Sequence, residues 1–255
     1  MSIAAAFNGH GKRAALMPYL MGGYPSVEES VSAGFAAADA GADLLELGIP
    51  FSDPLADGPV IHAAGTAALA AGATPHGVLG ACEQIAVRVP VVLMVYANIV
   101  LTAGVDAFAL KAAAAGASGL IVPDLPHDES ADLRAACDAE GLALVPLVAP
   151  TTTPERIAEI GAEARGFVYT VSLTGTTGER EELPTGLAET VARVRAAADV
   201  PVAVGFGIST AGQARAVAEI ADGVIVGSRV VRAAGEGGAA AVGALVGELA
   251  TALRA

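Results

Sequence analysis

Short apolar runs rich in Val, Leu and Ile recur along the chain, and longer Ala-rich stretches with polar residues at helical spacing separate them. Runs of that length and composition read as buried strands, and the stretches between them as helices packed on those strands. Eight strands are predicted, near Leu16–Met21, Asp43–Gly48, Val91–Tyr96, Gly119–Val122, Leu142–Leu147, Phe167–Val171, Val202–Val204 and Gly223–Val226. The helices carry their own start signals. Ser26 and Glu29 have capping-box spacing, as do Thr210 and Gln213, and Thr153 precedes a proline at a first helical position. Gly41, Gly116 and Gly141 close helices and lead straight into the next strand, as left-handed C-caps do. Eight strand–helix units with no linker between them predict one α/β domain over residues 1–255, a (β/α)8 TIM barrel. The competing architecture, a doubly wound open sheet, would carry a Gly-rich dinucleotide turn after its first strand, and that motif is missing.

Most connections are short. Two on the strand-to-helix side are long, 49–59 after strand two and 172–185 after strand six. In a barrel both belong to the C-terminal rim, where active sites lie and long loops act as lids or clamps.

Strand two holds the residue that periodicity alone does not explain. Leu44, Glu46 and Gly48 fall on one face and Leu45 and Leu47 on the other, so Glu46 enters an apolar layer whichever face is inward. A buried carboxylate either finds a cation or keeps its proton. Both readings stand: a structural pair with a buried Arg, or a general acid–base with a raised pKa. Asp57 lies eleven positions on, within reach of the same substrate if the loop folds back, and equally at home as the first residue of an Asp-Gly-Pro turn. Asp53, before Pro54, reads as loop structure.

Composition narrows the field. The chain is 54% apolar but only 4% aromatic, as suits Ala-lined helices packed closely on parallel strands. A net charge of −13 argues against nucleic acid or an anionic membrane as partner, so an anionic substrate needs a locally built site. Cys82 and Cys137 fall in predicted helices and outside any C-x-x-C spacing, and are expected to be free thiols. The N-terminal residues lack the pattern of a signal peptide and the run Val91–Val105 is too short and interrupted to span a bilayer, so a cytoplasmic protein is expected.

Glycine turns sit where this fold binds phosphate. Gly205–Ser209 follows strand seven, Gly227-Ser228 follows strand eight, and Gly175–Gly178 lies in the long sixth loop. Lys12 and Lys111 are away from strand C-terminal ends, which disfavours a Schiff base. His10, His62, His76 and His127 show no ligand spacing, so no metal site is expected. Acid–base chemistry on a phosphorylated substrate is what remains. Tyr19, Tyr96, Tyr169 and Phe206, on or just after four strands, are either barrel packing or, with Met94, Ile121 and Ile225, the lining of an apolar pocket.

The ordered segments RAALMPYLMGGYP, ELGIPFSDPLADGP, MVYANIV, PDLPHDES, APTTTPERI, GTTG, GFGIS and IVGS resemble the tryptophan synthase alpha chain, over nearly the whole sequence. The resemblance implies cofactor-free retro-aldol cleavage of indole-3-glycerol phosphate to indole and glyceraldehyde 3-phosphate. It implies catalytic roles for Glu46 and Asp57, phosphate binding by Gly178, Gly207, Gly227 and Ser228, and loop closure through Thr177. It places Tyr19, Tyr96, Ile121, Asp124, Tyr169, Phe206 and Ile225 around the indole. It also implies a beta chain as partner in an alpha2beta2 complex, with pyridoxal phosphate in that chain and none in this one. Leu173, ahead of the loop-six threonines, departs from some relatives. Two other classes stay open from the residues themselves: a different phosphate-binding barrel enzyme, and a regulatory subunit that keeps the fold without turnover.

Overall fold

The computed structural model describes residues 2–8, 11–171, 185–205 and 207–254. Among these, nine strand segments follow in chain order: β1 Ala15–Met21, β2 Leu45–Gly48, β3 Val91–Met94, β4 Gly119–Ile121, β5 Ala143–Leu144, β6 Leu147–Val148, β7 Val168–Val171, β8 Val202–Gly205 and β9 Gly223–Val226. All pairings are parallel. The spatial order is β5-β4-β3-β2-β1-β9-β8-β7-β6. Only Val145 and Pro146 separate β5 from β6, so the two edges of the sheet are one stretch of chain and the barrel closes through it.

That seam corrects one expectation. The fifth predicted strand, Leu142–Leu147, is two short pieces with a break at Val145-Pro146. Val145 N–H donates to the Leu120 carbonyl at 2.9 Å, while the Pro146 carbonyl accepts from Tyr169 N–H at 2.9 Å. Consecutive residues thus serve opposite neighbours. Proline has no N–H for a ladder, so a strand carrying it inside a sheet must bend or break there. The other strands lie within their predicted runs or extend them by a residue; the third ends early because Tyr96 is already the N-cap of the helix Ala97–Ala103.

Alternation sorts the strand side chains into two layers. Met17, Leu44, Val92, Ile121, Val145, Tyr169, Ala203 and Ile225 pack inside the barrel, and Leu16, Leu45, Leu47, Leu93 and Val204 pack outward against the helices. A short helix Ile3–Ala6, unforeseen from the sequence, plugs the N-terminal end of the barrel with Ile3, Ala6 and Phe7; the Phe7 ring lies 5.6 Å from that of Phe167. Below the strands, the buried Lys12 ammonium bonds Asp43 at 2.9 Å and the Gly41 carbonyl at 3.0 Å, and the other Asp43 oxygen accepts from Leu16 N–H at 2.7 Å. Asp222 repeats the device, accepting from Val202 N–H at 2.8 Å while pairing with Arg195. These carboxylates satisfy backbone donors at strand beginnings. Lys12 is therefore at the floor, far from the rim.

The caps behave as their residue types dictate. Thr210 and Gln213 form the full reciprocal box, and the Ser26 and Thr153 hydroxyls accept from Glu29 and Arg156 N–H. Gly41, Gly116 and Gly141 all take positive φ. Cys82 and Cys137 are buried free thiols in helices. No single described helix is long and apolar enough to cross a membrane. The last helical segment, Ser228–Arg254, breaks at Gly237-Gly238, which leaves residues 228–236 as a short helix whose N-terminus stands at the rim.

Candidate active site

Glu46 lies on β2 in register with Tyr19 of β1 and Val92 of β3, facing the barrel interior. It is 0% exposed, and among the described residues neither carboxylate oxygen has a hydrogen-bond partner. Among the described residues no Arg pairs with it. Burial without compensation pushes its pKa up to about 8, so at neutral pH this carboxyl carries a proton it can give.

Glycines at the strand ends admit the tyrosines beside it. A Cβ on Gly48 would sit 2.0 Å from the Tyr19 hydroxyl, and one on Gly205 would sit 2.2 Å from the Tyr169 hydroxyl. Tyr19 and Tyr169 are buried, and burial, followed by nearby acids, raises both phenols above the ordinary range. They are neutral walls.

The rim loop after β2 folds back over this layer. Asp57 is half-buried, and the Tyr96 hydroxyl donates to its carboxylate at 2.9 Å while accepting from Ala56 N–H at 3.1 Å. Phe51 stacks on the Tyr96 ring at 5.3 Å. Burial raises the Asp57 pKa, opposed by the Tyr96 hydrogen bond and by His62. Tyr96 is fixed in turn: its following residue, Ala97, donates its N–H to Asp124 at 2.8 Å, so Asp124 caps the helix Ala97–Ala103 from the neighbouring strand end.

One cavity gathers these groups. Tyr19, Glu46, Ala56, Asp57, Ile61, Met94, Pro123, Leu147, Tyr169 and Ile225 form its acidic and apolar part, and Gly207, Ile208, Gly227 and Ser228 its other wall. Gly207 has φ 83°, and Val230 and Val231 donate to the Gly227 carbonyl to begin the short helix. The N–H groups of Gly207, Ile208, Gly227 and Ser228 enter no backbone hydrogen bond of the described loops. A helix N-terminus and a glycine turn beside one space are the kind of backbone that can receive an anion.

A more open hollow of about 410 Å³ lies behind Pro123 and Leu147, ringed by Arg134–Glu163, His127–Glu163 and Arg156–Asp128 pairs. Its charges answer one another. The acid without a partner among the described residues is in the inner cavity. No group of three or more His, Cys, Asp or Glu side chains gathers at metal-binding spacing among the described residues.

Of the residues singled out from the sequence, Glu46, Asp57, Tyr19, Tyr169, Ile225, Gly207, Gly227 and Ser228 line this cavity together. Tyr96 stands behind Asp57, Asp124 behind Tyr96, and Ile121, in register with the cavity-lining Met94, is buried in the barrel core. Phe206, Gly178 and Thr177, and the rim loop 172–185 apart from Thr185, lie outside the described residues. Ile61, Pro123, Leu147 and Ile208 also contribute lining that sequence reading did not single out. Ile61, Pro123 and Ile208 lie at or just after a rim loop and Leu147 on β6, and nothing local separates such a residue from ordinary helix or strand packing.

Comparisons with known proteins bear on the family and the fold. The family model described as tryptophan synthase alpha chain matches residues 6–250. A tryptophan synthase alpha chain from Gloeobacter violaceus is 48% identical over 227 residues, covering 88% of this chain and 82% of its own. One from Synechococcus elongatus is 47% identical over 248 residues, covering 96% and 93%. A solved tryptophan synthase structure from Mycobacterium tuberculosis superposes with a TM-score of 0.93 at 44% identity, covering 99% of this chain and 98% of that one. Over nearly its whole length, the chain belongs to the tryptophan synthase alpha chain family.

Proposed function

We propose that Glu46 and Asp57 carry out the reaction of this family, cleavage of indole-3-glycerol phosphate to indole and glyceraldehyde 3-phosphate. The observation that carries the assignment is Glu46: a fully buried carboxyl, without a hydrogen-bond partner among the described residues, lining a cavity that also holds Gly207, Gly227 and Ser228. Protonated at neutral pH, it delivers its proton to indole C3 and leaves a cationic indolenine. Asp57, ionised, faces the ring nitrogen and stabilises the positive charge that develops there. Glu46, now a carboxylate, takes the proton of the hydroxyl on the adjacent glycerol carbon. The bond from C3 to that carbon breaks, its electron pair neutralises the indolenine, and the carbon becomes the aldehyde. The acid is regenerated within the cycle, and no cofactor enters. Gly207, Gly227 and Ser228, with Gly178, hold the phosphate, and Tyr19, Tyr169, Phe206 and Ile225 flank the ring. Tyr96, Asp124 and Ile121 support that pocket, and Thr177 closes loop six.

Indole is small and apolar, so a recipient is needed. A beta chain holding pyridoxal phosphate, which joins indole to serine, fills that role in an alpha2beta2 complex working in the cytoplasm. The test is direct: purified chain with indole-3-glycerol phosphate, followed for indole. Glu46→Gln lowers the rate by at least about a thousandfold while the fold is kept. Cleavage within about tenfold of wild type removes Glu46 from the mechanism.

A further inference from the structure

The oxygen of one buried amide reaches three donors beside the cavity. Gln213, 7% exposed, stands in the first turn of the helix Ala211–Ala218. Its Oε1 accepts from Ser209 N–H at 2.8 Å, from Thr210 N–H at 3.1 Å and from the Ser209 hydroxyl at 3.2 Å. Thr210 completes the box, its hydroxyl accepting from Gln213 N–H at 3.2 Å. An ordinary capping box takes only the N–H of the cap residue itself. Here the same oxygen also takes both donors of the residue before the cap.

The effect reaches upstream. The connection from β8 to this helix is short, and its last two N–H groups are drawn back toward the helix. Among its described residues that leaves the N–H groups of Gly207 and Ile208, both residues of the cavity wall. We propose that Gln213 is a positioning residue for phosphate recognition, its amide oxygen fixing the 207–210 turn so that two backbone N–H groups meet a phosphate monoester already aligned. This rests on the phosphate reading given above. Backbone donors stabilise an anion to the extent that they are oriented before it arrives, and a turn that must reorganise spends binding energy on itself. Gln213 touches neither substrate nor reacting atoms, so its contribution appears in KM for the phosphorylated substrate.

Two probes separate positioning from plain helix capping: glycerol 3-phosphate, which engages only the anion site, and indole, which engages only the apolar part. Their affinities are measured in the wild-type chain, Gln213→Met and Thr210→Ala. Gln213→Met is expected to weaken glycerol 3-phosphate by about tenfold and to raise KM for indole-3-glycerol phosphate in parallel, with indole affinity within about twofold. Thr210→Ala removes the helix cap alone; it lowers the melting midpoint and leaves glycerol 3-phosphate within about twofold. If Gln213→Met does not fold, Gln213→Asn, whose oxygen is one methylene short of those donors, makes the same comparison. Unchanged glycerol 3-phosphate affinity in the Gln213 variant overturns the proposal. So does equal weakening of both probes, or a Thr210→Ala loss as large as that of Gln213→Met. A wild-type chain that does not bind glycerol 3-phosphate overturns the phosphate reading itself, a different failure.

Discussion

Replacing Glu46 by Gln changes stability in a pH-dependent way whose size follows from the burial of that carboxyl. An ordinary glutamate ionises near 4.5, whereas Glu46 in the folded chain keeps its proton up to about 8. Between those values the folded state binds one more proton than the unfolded state, so wild-type stability falls as pH rises through that window. Below it the carboxyl is neutral in both states; above it the whole penalty is present. Each pH unit is worth about 1.4 kcal/mol, which makes the cumulative loss about 3–5 kcal/mol once some water follows the ionising group. Gln has no proton to lose. Its buried amide adds a constant cost of about 1–3 kcal/mol, the same at every pH. The informative quantity is therefore the difference between variant and wild type, which should move in favour of the variant by about 3–5 kcal/mol from about pH 5 to about pH 8.5. Urea unfolding at closely spaced pH values measures it, and in melting temperature the change is roughly 10 °C for a chain of this size. A difference that stays flat across the window would refute the reasoning, because Glu46 would then ionise as freely folded as unfolded.

Three further outcomes follow from the geometry. Tyr96→Phe removes the hydrogen bond that holds the Asp57 pKa down; the acid limb of the kcat/KM profile should move to higher pH and the maximum fall by about tenfold, and an unmoved limb would separate Tyr96 from Asp57. Gly48→Ala places a methyl 2.0 Å from the Tyr19 hydroxyl; cleavage should fall at least about tenfold, and adding Tyr19→Phe should recover part of it, non-additively, in a double-mutant cycle. A cognate beta chain should raise indole release by at least about tenfold, about 1.4 kcal/mol of coupling, and no change at saturation would mean that the partner does not act on this site.

Much of the barrel was legible because its signals are local. Strand periodicity, glycine C-caps and proline-headed helices depend on neighbours a few residues away, and those elements appear where the sequence puts them. Glu46 was legible for the same reason: an acid inside an apolar run is anomalous at sight. What escaped depends on partners far along the chain. Asp124 reads as a pocket residue until its carboxylate is seen on Ala97 N–H, 27 positions away. Tyr96 reads as lining until its hydroxyl is found on Asp57, 39 positions away. Ile121 has the inward parity expected of it, but period-two alternation reports a face and not a reach, and Ile121 is buried in the barrel core beside the cavity-lining Met94. Pro146 was in plain view inside the fifth run, and its missing N–H is what splits that strand.

The seam at Val145-Pro146 divides more than a strand. From it the sheet runs one way through β4, β3 and β2 to β1, and the other way through β7 and β8 to β9. Glu46 and Asp57 belong to the first arc; Gly207, Gly227 and Ser228 belong to the second. The arcs meet in two places, a covalent crossing at residues 145–146 and the β1–β9 ladder. A chain severed at the crossing would yield one fragment holding the acids and another holding the anion grip, each mute alone. Turnover would then report their reunion, making this barrel a natural scaffold for a split reporter whose signal is indole.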